Sequence, residues 1–478
     1  MNPLVQRLAA LLTLAAVAGG SYYAAPGTDT VYDFAGCEVY DVVEHQDGAR
    51  NFAGYCPPEV QPSPTLTPTS IVISSPTVLP SGTPTPTQTA VPSTFTPSPP
   101  PTTPPSSTPG ITTTPTPISG TTIQPGQSIQ AAVNAAPNGT TFVLAAGVYQ
   151  NQQVNPKTGQ SFVCAIVASP PRCIMDGNFG TIAVFAFVGT ASNVTIRGLE
   201  IREYRTASQL AAIDACSGSG WLIENNLVTW NHSGGIRIGP NGRAINNVIT
   251  YNGQLGVKAC GSNGLYQGNE IAYNNSFCPA GFPVQQSGGG QGCNQYGFEG
   301  GGSKFAVTSG LRVIGNHVHG NCGPGLWTDI QNDEVLYEGN LVENNSSGGI
   351  FHEISYDARI VGNTARGNTL TQTIPHPAGG ASRTCSGGGG AYGHAEIVIA
   401  NSRGIDRDLE ITGNTVGAKG ILVVEQLRNG GVYPTRRIYP HDNAGVSCTK
   451  VGVDTEGSFN QAQWDAFLAG NPKLGARC

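Results

Sequence analysis

From residue 226 onward a short frame of polar and aliphatic positions keeps returning. The pattern N-x-[VI]-x-x-N occurs at Asn226 to Asn231 (NLVTWN), Asn247 to Asn252 (NVITYN), Asn269 to Asn274 (NEIAYN), Asn316 to Asn321 (NHVHGN) and Asn340 to Asn345 (NLVENN). Asn363 to Asn368 (NTARGN) keeps both asparagines with Ala365 at the apolar place, and a partial copy opens at Asn414 (NTV). Successive first asparagines are 21, 22, 47, 24, 23 and 51 residues apart. Self-similarity at such a period predicts a solenoid in which each copy is one turn, burying its apolar side only by stacking on its neighbours. Val228, Ile249, Ile271, Val318 and Val342 are expected to form one buried stack. The asparagines are expected to be structural, tolerating left-handed backbone and forming a side-chain ladder along the stack.

A second strand belongs to each turn, and its alternation sorts side chains into inward and outward sets. In GIRI, Ile236 and Ile238 point in and Arg237 out; GVKA likewise presents Lys258. In the GSKFAV segment Phe305 and Val307 are expected inside and Lys304 outside. In GLWTDI, Leu326, Thr328 and Ile330 face in, with Trp327 and Asp329 out; in GIFHEI, Ile350, His352 and Ile354 face in, with Phe351 and Glu353 out. Upstream, Ile129, Ala132 and Val133 recur at helical spacing before a strand at Thr141 to Leu144. This predicts a short helix covering the open end of the stack, where core and unpaired backbone would otherwise be exposed. The fold class is therefore all-β, a parallel β-helix with an N-terminal capping helix.

The two long intervals between repeats contain SFCPAGFPVQQSGGGQGCNQYGFEGGGS and TQTIPHPAGGASRTCSGGGGAYGHA. Such tracts supply no stacked strand and are read as long loops, where binding residues tend to reside. Ahead of the solenoid, residues 57–119 are dominated by Pro, Thr and Ser, which suits an extended spacer rather than a core. Leu8 to Ala18 is an apolar run of about 11 residues behind Arg7, short of the roughly 20 that span a bilayer, and Ala16-Val17-Ala18 precedes Gly19 as a cleavage site would. The expected organisation is a signal peptide at 1–18, a small segment at 19–56, the linker at 57–119 and the β-helix at 120–478. The product is expected to be secreted or held at the cell surface, with no stable membrane insertion. Twelve cysteines behind an export signal imply disulfides. Sequence order suggests Cys37 with Cys56, Cys164 with Cys173, Cys278 with Cys293 and Cys448 with Cys478, while Cys322 with Cys385 would tie the second loop to the body. Cys216 and Cys260 are two turns apart, about 9.6 Å at strand spacing and beyond the roughly 7 Å limit for a bridge, so they pair only if a turn bulges.

A net charge of −6 offers no basic surface for nucleic acid. The capping helix, the NVTIRGLEI opening at Asn193 and the repeated turns resemble the right-handed parallel β-helix repeat family, of pectate-lyase-like architecture, over about residues 120 to 430. Gly297 to Asp357 further resembles exported bacterial β-helix proteins carrying GGxKF, GPGLWTDI and GIFHEISYD segments. Members of the broader family are mostly polysaccharide lyases, epimerases or glycosidases acting on acidic glycans, and noncatalytic members exist. The active-site patterns of pectate lyase and polygalacturonase are missing from this sequence.

Successive turns lie about 4.8 Å apart, so the outward residues should form one column: Arg237, Lys258, Lys304, Trp327 with Asp329, and Phe351 with Glu353. Such a mixture suits a glycan, whose uronate carboxylates pair with Arg237 or Lys258 and whose rings stack on Trp327 or Phe351. For β-elimination Lys304 is the candidate base. Glu299, Asp329 and Glu353 are candidate calcium ligands, hard oxygens suiting that ion. His352 is a secondary candidate acid or base, although a buried histidine is more often a satisfied core residue. Two other readings stay open. One is a glycosidase using Asp329 and Glu353 at the roughly 5 Å separation of retaining chemistry. The other is a noncatalytic glycan-binding surface protein. In each case the partner is a polysaccharide, and a monomer is expected.

Overall fold

The computed structural model describes the strands Ser21–Ala24, Glu38–Glu44 and Arg50–Tyr55, and residues 119–474 apart from 167–168, 278–298, 377–380, 387–394, 426–434, 446–448 and 454–460. The chain divides into compact units at 1–116 and 117–478. In the first, Arg50–Tyr55 lies between the other two strands in an antiparallel sheet. The expected signal peptide, the linker, most of the first glycine-rich loop, part of the second and the pairings Cys37–Cys56, Cys278–Cys293 and Cys448–Cys478 lie outside the described residues.

The second unit is a parallel β-helix with three faces. One face is a 12-stranded sheet running from Thr121–Ile123 to Ile438–His441, and the second an 11-stranded sheet from Gly147–Gln150 to Ala444–Gly445. The third face consists of two 5-stranded sheets, one ending at Gly301–Ser303 and the other beginning at Leu326–Asp329, joined through a Phe305 to Thr328 bridge. In each regular turn the chain visits the faces in order, as in Leu222–Glu224, Leu227–Thr229 and Gly234–Ile238. The sequence frame reveals the second and third strands; the first is a three-residue alternation just before each ladder asparagine.

The predicted stack is present. Val228, Ile249, Ile271, Val318 and Val342 pair in register on consecutive turns and each is fully buried. Burying one such side chain is worth about 1.5–3 kcal/mol, and no turn gains it without its neighbours. Helix Ile129–Ala135 closes the N-terminal end: Ser128 caps it by accepting from the Ala131 N–H at 3.1 Å, and Ile129 and Val133 join the core.

Two asparagine ladders run through the interior. In the first, the Asn247 side-chain oxygen accepts both the backbone and side-chain N–H of Asn226, and the contact repeats through Asn269, Asn316, Asn340, Asn363, Asn414 and Asn443. The second runs from Asn231 through Asn252, Asn274, Asn321, Asn345 and Asn368 and ends on Glu396, whose carboxylate accepts but has no N–H to pass on. The left-handed residues are not the ladder asparagines but their predecessors, among them Asn225 (φ 55°), Asn246 (φ 54°), Trp230 (φ 57°) and Tyr251 (φ 55°). The corner is turned one residue early, which frees the ladder side chain to point inward.

Two other expectations need correction. Val307 is 60% exposed, and Ile330 and Ile354 are half-buried, because each lies beyond its strand in left-handed backbone, where alternation no longer holds. Cys216 and Cys260 pair with Cα atoms 5.4 Å apart rather than about 9.6 Å, while Cys164 with Cys173 and Cys322 with Cys385 pair as expected. On the turn between Cys216 and Cys260, Gly239 packs so closely on the preceding turn that an added Cβ would sit 2.2 Å from the Gly218 carbonyl oxygen. On the second face the rings of His317 and His319 stack at 4.1 Å, and their Nε2 atoms lie 3.1 Å from Glu343 and Glu270 respectively.

Candidate functional site

The outward column exists on the third face. Asp214, Arg237 and Lys258 pair in register on consecutive strands. Lys304 follows, its N–H bonding the Val257 carbonyl and its neighbour Phe305 bridging to Thr328. Trp327 pairs with Phe351, and Asp329 with Glu353. Beyond them the column turns apolar, Phe351 facing Val398 and then Leu422, while Glu353 gives way to Ala400 and Val424. Trp327, Phe351, Val398, Ala400 and Val424 make an apolar cluster outside the main core.

Exposure differs from the expectation. Trp327 is 2% and Phe351 6% exposed, their rings stacked on each other at 5.7 Å. They face away from the core but do not present open faces to solvent, because alternation fixes the side of the sheet and not what lies over it. The accessible end is that of Arg237 and Lys258, both half-buried.

The two lysines occupy opposite electrostatic settings. Lys304 Nζ lies 2.5 Å from Glu299 and 2.9 Å from Asp329, and 4.5 Å from the centre of the Trp327 ring. Burial opposes its charge, but the two carboxylates outweigh burial and hold its pKa above the ordinary lysine value. Lys258 lies between Arg237 and Lys304 on neighbouring turns, and its ammonium donates to the neutral Gln209 side-chain oxygen. Burial, reinforced by those two cations, pushes its pKa down to about 7, with only partial opposition from Glu299 and Asp214. Arg237 is anchored through Nε on Asp214 at 3.0 Å.

Residues 211–416 match the family model of the right handed beta helix region. This is a right-handed parallel β-helix repeat domain. Among solved structures, this β-helix is similar to the A-module of mannuronan C-5 epimerase AlgE6 from Azotobacter vinelandii, with 16% identity over 69% of this chain and 91% of that one and a TM-score of 0.39. It is similar to the catalytic unit of a thermostable GH87 alpha-1,3-glucanase from Streptomyces thermodiastaticus strain HF3-3, with 12% identity over 72% and 69% of the two chains and a TM-score of 0.41. An alginate lyase from Paenibacillus sp. str. FPU-7 shows 13% identity over 70% and 99%, with a TM-score of 0.34. At these identities the likeness concerns the coil and not the reaction. No curated protein sequence matches the chain.

The remaining acids of the β-helix site are engaged. Glu299 and Asp329 share the ammonium of Lys304, and Glu353 accepts from the Trp327 indole N–H at 3.2 Å. Among the described residues no three His, Cys, Asp or Glu side chains gather around a point that a metal would occupy. Glu299 and Asp329, two of the three candidate calcium ligands, converge on the Lys304 ammonium. His352 is fully buried, with Nδ1 2.7 Å from the Thr328 hydroxyl and Nε2 donating to the Tyr356 carbonyl at 2.9 Å. Burial drives its pKa down to about 4, so it is a neutral core histidine at ordinary pH. Among the described residues no helix is long and apolar enough to cross a membrane.

Sequence reasoning missed Asp214 and Gln209. Asp214 was within reach, because AAID repeats the alternation of GIRI one turn earlier, placing Ile213 in and Asp214 out. Gln209 lies in a loop with no repeat to mark it.

Proposed function

We propose that this is a carbohydrate-active β-helix protein that cleaves a uronate polysaccharide by β-elimination, with Lys258 as the base. The observation that carries this reading is the setting of Lys258, a half-buried amine pushed to a pKa of about 7 between two permanent cations in register. A general base works best when its pKa lies near the operating pH. Lys304 was the residue expected from sequence, but its two carboxylate partners keep it charged and suit it to electrostatic support.

In this reading the substrate carboxylate lies against Arg237, whose Nε donates to Asp214 and whose Nη1 donates to the Gln209 carbonyl, leaving Nη2 for a second anion, and near the fixed charge of Lys304. Both cations stabilise the negative charge that develops when the proton beside the carboxylate moves to the Lys258 amine. The electron pair released forms the ring double bond, the glycosidic C–O bond breaks, and the leaving oxygen takes the proton back from the Lys258 ammonium. Trp327 supports Lys304 through its ring face rather than stacking on sugar.

The test is a panel of uronate polymers and neutral glucans, with and without calcium, followed by product analysis. Ultraviolet-absorbing unsaturated ends from a uronate polymer support the reading. Saturated reducing ends, lost in Asp329→Asn or Glu353→Gln, would transfer the activity to a hydrolase. Binding without cleavage, or no interaction across the panel, would make this a noncatalytic surface protein.

A further inference from the structure

The loop before strand Ala211–Asp214 reaches over the two lysines of the third face. Gln209 has a φ of +68°, in the left-handed region that a glutamine seldom adopts. Its side chain bridges both halves of the lysine pair: Oε1 accepts from the Lys258 ammonium, and Nε2 donates to Glu299 at 3.1 Å. Glu299 is in turn bonded to Lys304. The chemistry of the partners fixes the amide orientation, since an ammonium can only donate and a carboxylate only accept.

A second glutamine holds this arrangement from behind. Gln254 is fully buried, and its Oε1 accepts from the Gln209 backbone N–H at 2.8 Å, the Ser233 hydroxyl at 3.0 Å and the Ser208 hydroxyl at 3.3 Å. Its Nε2 donates to the Glu299 backbone carbonyl at 3.0 Å. One buried amide therefore ties together the two segments that carry the groups facing the lysines, and it accounts for the strained backbone at Gln209.

Resting on the reading of Lys258 as base, we infer that Gln209 is a positioning residue that orients the Lys258 amine and keeps it free of a negatively charged partner, with Gln254 as the brace that holds Gln209 in place. A neutral acceptor occupies one N–H of the neutral amine and so directs its lone pair, whereas a carboxylate at the same point would hold the ammonium charged. The groups that face Lys258 are Arg237 and Lys304 from the adjoining turns, Asp214 and Glu299 at longer range, and Tyr266, whose hydroxyl bonds the Lys258 carbonyl.

The experiment needs no substrate. The full chain is pulse-labelled with acetic anhydride over a pH series, and modification of Lys258 is read by peptide mass spectrometry against the exposed Lys473 as internal standard. Folding of each variant is checked by far-ultraviolet circular dichroism. In the wild type, Lys258 should reach half its plateau rate near neutral pH. Gln209→Glu should slow labelling of Lys258 at pH 7 by about fivefold or more, because raising a pKa of about 7 by one unit cuts the free amine at that pH from about one half to about one eleventh. Gln209→Leu, which removes the acceptor without adding charge, should not slow it. Gln254→Met, which frees the loop, should change the Lys258 rate while leaving that of Lys473 alone. If Gln209→Glu labels within twofold of the wild type, Gln209 does not govern the amine and the inference is overturned. Because labelling is independent of turnover, a wild type that labels as expected but cleaves no uronate polymer would sink the lyase reading alone. One that cleaves while the Gln209→Glu rate stays flat would sink this inference alone.

Discussion

Replacing Asn316 by alanine tests the physical account of the coil. The Asn316 side chain is 1% exposed, and its oxygen accepts the backbone and side-chain N–H groups of Asn269, both at 2.9 Å. Its Nδ2 donates to the Tyr266 carbonyl and to Asn340 Oδ1, both at 3.0 Å. Asn340 Oδ1 would still accept from the residue 316 backbone N–H, so the clear loss is two buried donors on Asn269. Each orphaned donor costs about 1–3 kcal/mol, which gives about 2–6 kcal/mol for Asn316→Ala. Asn443 closes the same ladder and accepts from Asn414 in the same way, but it is half-buried and water can replace it. Asn443→Ala should therefore cost about 1 kcal/mol or less. Urea denaturation followed by circular dichroism should show a large fall in midpoint for Asn316→Ala and a small one for Asn443→Ala, with similar slopes. Equal midpoints for the two variants would refute the argument that the ladder works by satisfying buried donors.

Other outcomes follow from the same structure. Cleavage of a uronate polymer should rise with pH through a limb near 7, because the free Lys258 amine is the active form and forms as pH rises through its pKa. A profile that falls across neutrality would oppose Lys258 as base. His352, neutral in the fold with a pKa of about 4, should draw stability down as pH falls from about 6.5 toward 4, where the unfolded chain binds the proton and the folded chain does not. That contribution is about 3 kcal/mol and should vanish in a folded His352→Gln variant, as acid denaturation would show. Replacing Cys216 and Cys260 together by serine opens a crosslink spanning 44 residues and should cost about 4 kcal/mol on the chain-entropy estimate, visible as a lower melting temperature.

The coil was legible because its information is repeated. A two-residue error in any one N-x-[VI]-x-x-N frame would be corrected by the next, and Val228, Ile249 and Ile271 stack as the frame requires. The order of the outward column was legible for the same reason. Its environment was not. Alternation assigns Trp327 and Lys304 to the same side, but says nothing of the carboxylates that converge on Lys304 or of the burial of Trp327. Choosing between two lysines required knowing that Glu299 and Asp329 reach one and a neutral glutamine the other. Those contacts depend on loop paths outside the repeat, as does the Cys216–Cys260 bridge.

The most direct test of the central claim is the mass of the fragments released from a uronate polymer by the wild type and by Lys258→Met. Elimination leaves each new non-reducing end lighter by one water than hydrolysis does, so the mass reports the bond chemistry without an assumed chromophore. The wild type should release dehydrated fragments, a folded Lys258→Met none above background, and Lys304→Met a reduced but measurable amount. Fragments that carry the added water, or dehydrated fragments released at the wild-type rate by Lys258→Met, would contradict the claim.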